Sequence, residues 1–152
     1  LAEYQELFND RIIHAYWENP WKNIPNYRIK DDLWEDYYVE KVAYWRGAVF
    51  AFWLDNQILL KSNYEESLDD LMRELLEYCV VNNAKFSDEL LIDLARKYLN
   101  KDISSFFQKH IICGEDIPLT DEKWIEGFRF EIFEDIPILV SDESALDRYI
   151  ID

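Results

Sequence analysis

The sequence predicts a mainly α protein: a multi-helix bundle around a central buried helix at about residues 39–60, with a short extended, strand-containing C-terminal tail. Three observations carry that expectation. Only 3 Gly and 4 Pro leave little turn material for a many-stranded sandwich. Apolar residues recur at three- and four-residue steps over most of the chain, the spacing of a helix face. Ser and Asp residues stand just before those periodic segments, where they satisfy the free N–H groups of a first turn. A hydrophobic content of 49% with 16% aromatics excludes a disordered chain, and 152 residues suffice for one core.

Residues 1–17 place Leu1, Tyr4, Phe8, Ile12 and Ala15 on one face, with Leu7 beside them, as an amphipathic helix does. Asn19-Pro20 ends it, and Pro20 and Pro25 mark a loop through Tyr27. Residues 29–38, with Leu33, Trp34, Tyr37 and Tyr38, read as a short helix. In the central pattern Ala43, Gly47, Ala51, Leu54 and Ile58 share one face, while Trp45, Val49, Phe52 and Trp53 cover the remainder. A helix apolar nearly all round packs on several sides. Glycine inside a helix costs about 1 kcal/mol against alanine, so Gly47 is expected at a close helix crossing. Arg46, between Phe50 and Trp53 on the wheel, is expected in a buried ion pair.

Ser67 is expected to cap the next helix, with Asp69 and Asp70 in its first turn and Leu68, Leu71, Met72, Leu75, Leu76 and Cys79 as its stripe. Ser87 caps another, burying Leu90, Leu91, Leu94, Ala95, Tyr98 and Leu99. Asp102 caps a third carrying Ile103, Phe106, Phe107 and Ile111, which Gly114 ends. After Pro118 the pattern changes. Residues 127–133 alternate, with Phe128, Phe130 and Ile132 on one side, and residues 136–140 form an apolar run around Pro137. These are expected to pair as strands before a last helical turn from Ser144. The organisation expected is a helical subdomain over residues 1–119 and a short tail over 120–152.

The net charge of −16, from 32 acidic and 16 basic residues, argues against direct contact with nucleic acid or anionic membrane surfaces. The acids are spread over helix faces, as a solvated surface spreads them. The apolar run at residues 48–54 stops at Asp55, far short of the roughly 20 residues of a spanning helix. Cys79 and Cys113 are too few and too distant for a metal knuckle or a CxxC pair and read as two buried thiols. A single disulfide stays open for an oxidising compartment, so localisation is left undecided between cytoplasmic and periplasmic or secreted.

A gluzincin zinc site needs two His four residues apart, a Glu between them as general base and a downstream Glu ligand. The two His here, His14 and His110, are far apart and in no such spacing. There is no GxSxG, and Gly47, Gly114 and Gly127 are too scattered for a phosphate loop. No metal ligand set and no self-contained active site are expected in this chain.

Tyr44-Trp45-Arg46-Gly47-Ala48, then Leu54-Asp55, then Ser67-Leu68-Asp69-Asp70-Leu71-Met72, resembles the glycyl aminopeptidase family, gluzincin zinc metallopeptidases that often carry a PDZ domain. Phe86-Ser87-Asp88-Glu89-Leu90, Asp102-Ile103-Ser104-Ser105-Phe106-Phe107 and Ile117-Pro118-Leu119 follow in the same order, as do Asn19-Pro20-Trp21 and Leu33-Trp34 upstream. The likeness covers residues 12–119 and is to the C-terminal helical part of the catalytic region. It implies that Tyr44 faces the zinc site of a parent enzyme, its phenol donating a hydrogen bond to the oxyanion of the tetrahedral intermediate. It also implies zinc in the parent protein, a peptide substrate, and an upstream zinc-binding subdomain of the same polypeptide as partner. The chain, expected to be cut out just after that subdomain, is expected to be inactive alone. The alternative is a stand-alone acidic helical interaction module with no peptidase role.

Overall fold

The computed structural model of the chain describes residues 2–141. Its fold is mainly α, with one small hairpin near the C-terminus, as the sequence predicts. Helix α1 (Ala2–Phe8) runs into a π-helical turn (Asn9–His14) and a short α2 (Ala15–Trp17). That turn shifts the buried face. Phe8, Asn9, Ile13 and Tyr16 are buried, whereas Tyr4 is exposed and Ile12 and Ala15 are half-buried. A regular 3.6-residue wheel carried through residues 9–14 therefore points at the wrong side chains. Leu1 lies outside the described residues.

Pro25 is the N-cap residue of α3 (Asn26–Asp32), so Tyr27 is helical rather than part of a loop. The helix expected over residues 29–38 is the end of α3 and the start of α4 (Tyr37–Ser62). Asp36 separates them by capping α4: its Oδ1 accepts from the Tyr38 N–H at 2.8 Å. At 1.5 Å per residue α4 is about 39 Å long, and it stops at Asn63, whose φ of 55° is left-handed.

Helix α4 is central, as expected, but of the expected face only Leu54 and Ile58 are buried. Val39, Val42, Arg46, Val49, Phe50, Trp53, Leu54 and Ile58 point inward, while Ala43 and Gly47 are exposed and Ala51 is half-buried. A Cβ added at Gly47 would meet nothing within 4 Å, so no close helix crossing requires this glycine. With apolar residues all round the wheel, periodicity expresses no preference, and the neighbouring elements choose the face.

Helix α5 (Leu68–Val81) opens with a capping box, the Ser67 N–H donating to Asp70 Oδ2 at 2.9 Å. Helix α6 (Asp88–Leu99) opens with Leu90 N–H donating to Ser87 Oγ at 3.2 Å. Helix α7 (Ser104–Phe107) follows Asp102, whose Oδ1 accepts from the Ser104 N–H at 2.9 Å, and it continues into a π-helical turn (Gln108–Ile112). Gly114 follows, with φ of 80°. Only Leu71 and Leu75 of the α5 stripe are buried; Met72 and Leu76 remain exposed, because α4 and α6 cover just one side of this helix. Cys79 is half-buried and Cys113 exposed, and both are free, rather than two buried thiols.

Strands β1 (Phe128–Phe133) and β2 (Ile136–Ser141) pair antiparallel, with Phe133 opposite Ile136. Glu134 and Asp135 turn the chain with φ of 49° and 65°, the double left-handed geometry of a two-residue hairpin. Three amides fasten the segment after Leu119 to the helices. The Asn9 side chain exchanges two 2.9 Å hydrogen bonds with the Leu139 backbone. Gln5 Oε1 accepts from the Ser141 N–H at 3.0 Å. Asn56 donates to the Lys123 carbonyl at 2.9 Å and accepts from the Ile125 N–H at 2.8 Å. Trp124, Phe130 and Leu139 join the same apolar core as Trp53, Leu71 and Leu99. The helical turn expected from Ser144 lies outside the described residues.

Candidate functional site

Tyr37, Lys41 and Tyr44 stand at i, i+4 and i+7 on α4, so the helix itself aligns them on one face. The Lys41 ammonium lies 5.2 Å from the Tyr37 ring centroid and 5.4 Å from that of Tyr44, attracted by the negative ring faces. It also meets Glu40 Oε1 at 2.9 Å. That hydrogen bond, ahead of the partial desolvation that opposes it, raises the Lys41 pKa. Tyr44 is 66% exposed, and one turn further along Gly47 leaves open space beside it.

Other exposed aromatics lie nearby in the sequence. Trp34 is 88% exposed at the turn between α3 and α4. Tyr37 and Tyr38 meet edge to face at 5.6 Å, and Trp21 Nε1 donates to Asp36 Oδ2 at 3.0 Å. The exposed rings of Trp21, Tyr27, Trp34, Tyr37, Tyr38 and Tyr44 thus all come from one stretch of chain around the start of α4. The geometry offers a phenol and an ammonium side by side, both hydrogen-bond donors, on an open aromatic face.

Arg46 sets the rotation of that face. Two residues on, it points about 200° around the helix from Tyr44 and is only 2% exposed. Among the described residues no ion pair holds it, contrary to expectation. Its two Nη atoms donate instead to neutral oxygens: Ile24 O at 2.6 Å, Lys22 O at 2.8 Å, Asn26 Oδ1 at 2.9 Å and Ile111 O at 3.2 Å. Carbonyl dipoles turned toward the two Nη atoms replace their hydration, the planar fork reaching several at once, while Nε is buried with no hydrogen-bond partner among the described residues. One side chain therefore ties the loop before α3, α3 itself and the last π-helical turn to α4. Tyr16 lines the same region, its hydroxyl donating to Lys22 O at 3.3 Å, and burial is the first cause of its raised pKa.

The remaining motif residues have structural partners. Asp55, of the Leu54-Asp55 pair, accepts from the Leu68 N–H at 2.8 Å and so adds a second cap to α5 beside Ser67. His14 lies 3.9 Å from Glu18, and His110 is buried with Nδ1 3.2 Å from the Glu115 carbonyl oxygen and its ring 4.3 Å from Phe106. Among the described residues no three His, Cys, Asp or Glu side chains converge as a metal ligand set. No helix among them is long and apolar enough to cross a membrane. No protein-family model and no curated protein matches the chain.

Proposed function

We propose that this chain forms one wall of the active-site cleft of a zinc aminopeptidase and contributes Tyr44 as an oxyanion-stabilising hydrogen-bond donor. Zinc and the general base belong, in this reading, to an upstream subdomain of the same polypeptide, and the chain alone is inactive. The observation that carries it is the placement of Tyr44. An aromatic ring on a buried face would be core; this one stands in solvent on an open face, beside Lys41 and the uncovered Gly47. Exposed apolar surface of this kind marks a face that another surface covers. The motif order from Tyr44 to Leu119 supports the same reading. A phenol held by α4, whose rotation Arg46 anchors, is pre-positioned and needs no reorganisation to meet a developing negative charge.

The test is Tyr44→Phe in the polypeptide that includes the upstream subdomain. Loss of one oxyanion donor lowers kcat by about 10²–10³ with KM little changed. A reading frame with no HExxH upstream, or a Tyr44→Phe enzyme of full activity, would overturn the reading. The second reading, an acidic interaction module without peptidase role, is favoured by the outer face of α5. There Met72, Leu76 and Phe86, all exposed, border a groove of about 260 Å³ with Leu75 and Cys79.

A further inference from the structure

We propose that two copies of this chain associate through the outer edge of β1, the two strands pairing antiparallel with Phe130 of one copy opposite Phe130 of the other. This interface stands whether or not Tyr44 serves a peptidase. The two edges of the hairpin differ sharply. The outer edge of β2 is sealed: Asn9 takes both the N–H and the carbonyl of Leu139, Gln5 accepts from the Ser141 N–H at 3.0 Å, and Pro137 has no N–H to offer. Helix α1 and the π-helical turn after it lie along that strand.

The same bonds fix which way the amides of β1 point. Leu139 turns its N–H and carbonyl away from β1, so Phe130 opposite it belongs to a non-hydrogen-bonded pair. Such pairs alternate along an antiparallel ladder, and Phe128, Phe130 and Ile132 therefore turn their backbone groups outward. The Phe128 N–H is taken by the Ile125 carbonyl at 3.1 Å. The N–H and carbonyl groups of Phe130 and Ile132 have no hydrogen-bond partner among the described residues. The Phe130 ring is buried against Phe52 and Trp124, so the open edge belongs to a strand that the core holds in place. An open strand edge is a template for another strand.

The charges of β1 select a second copy as the occupant. Arg129 and Glu131 are exposed on the face opposite the Phe130 ring, 2.7 Å apart. With Phe130 opposite Phe130, Arg129 of each copy stands opposite Glu131 of its partner, and Phe128 stands opposite the exposed Ile132. Opposite charges facing each other across a strand pair attract, and like charges repel. The neighbouring registers that also align the outward amides put Arg129 opposite Arg129 or Glu131 opposite Glu131. Charge therefore specifies the symmetric register as well as the partner. In it each Phe130 N–H donates to the Phe130 carbonyl of the other copy and each Ile132 N–H to the Phe128 carbonyl. A twofold pairing closes on itself and covers both open edges at once. One strand pair buries well under the roughly 1,200 Å² of a standard interface, so the association is weak.

Sedimentation equilibrium of the intact chain up to about 1 mM reads the association, a range suited to a small interface. At about 0.15 M salt the screening length of about 8 Å damps the long-range repulsion between two chains of net charge −16 and spares a cross-strand pair about 5 Å apart. Hydrogen exchange followed by NMR reads the Phe130 and Ile132 amides. The chain is expected to dimerise, with protection of those two amides rising with concentration. Arg129→Glu and Glu131→Arg, at exposed positions, each set like charges opposite and are expected to weaken self-association about tenfold or more. Mixing the two variants makes both cross-strand pairs opposite in sign again and is expected to restore association to within about threefold of the original, a rescue that misfolded chains would not show. The proposal is overturned if the chain stays monomeric throughout, or if the two amides stay unprotected in a dimer or are equally protected at every dilution. It is equally overturned if either single variant dimerises as before, or if the mixture associates no better than its components.

Discussion

Gly114 closes the cage around Arg46: a Cβ at residue 114 would lie 2.9 Å from Arg46 Nη2 and 2.7 Å from the Ile24 carbonyl oxygen that the guanidinium binds. Its φ of 80° is also one that side chains other than glycine resist. The glycine that stops the helical segment of α7 is thus the one that lets a buried cation keep its carbonyl ligands. Gly114→Ala combines left-handed strain with overpacking and is expected to destabilise the chain by about 2–4 kcal/mol. Urea denaturation measures this, and a loss near zero would mean that the cage has room the structure does not show.

Gly47 behaves in the opposite way. It lies inside α4 with a right-handed helical backbone and open space where a Cβ would go. Gly47→Ala is expected to stabilise this chain by about 0.5–1 kcal/mol through helix propensity alone. Thermal unfolding reads the sign directly. The same substitution in a polypeptide that covers the Tyr44 face is expected to destabilise instead, so the pair of measurements also reports on the proposed docking of the upstream subdomain.

Tyr44→Phe removes one hydroxyl from an exposed ring and is expected to change the stability of this chain by less than about 0.5 kcal/mol. Equilibrium unfolding of the two proteins side by side makes the comparison. A larger loss would give the phenol a structural task and weaken its assignment as a donor held ready for substrate.

Asp55→Ala is expected to cost about 0.5–2 kcal/mol, the usual effect of losing a helix cap. The carboxylate spans from α4 to the first N–H of α5, so its loss should raise amide exchange at Leu68 before exchange elsewhere. Uniform exchange across α4, α5 and α6 in the variant would argue against a local cap.

The Asp102 carboxyl is held down to about 2, first by the Ser104 hydroxyl, then by the Ser104 N–H and the Arg96 guanidinium. Its folded pKa lies below its unfolded value of about 3.9, so the unfolded chain binds the proton more readily. The resulting stabilisation is present above about pH 4 and is lost as pH falls through about 2. The stability difference between the protein and Asp102→Asn is therefore expected to be constant above pH 5 and to shrink toward pH 2. Denaturation over a pH series tests the trend, and carboxyl carbon NMR locates the midpoint.

The helix starts were legible because their signals are local. Ser87 and Asp102 each accept from an N–H within three residues and the Ser67 N–H donates to Asp70 three residues on, and that chemistry needs no knowledge of what packs nearby. The hairpin was legible for the same reason, since Phe128, Phe130 and Ile132 alternate along one short segment. Tyr44 could be singled out only by resemblance. Nothing in its own neighbourhood distinguishes a solvent-facing tyrosine from a core one.

By itself, then, the sequence determined where α5, α6 and α7 begin, which segment is central, and that residues 128–141 form paired strands. All of these follow from capping and from period, and both are short-range. Tertiary structure decided which side of α4 is inside, how the π-helical turn rotates residues 9–16, and what surrounds Arg46. An evenly apolar helix has no preferred face until its neighbours arrive, and a buried cation takes whichever oxygens the folded chain brings to it. Ile24 O and Ile111 O come to Arg46 from distant parts of the chain, and only the closed fold brings them together.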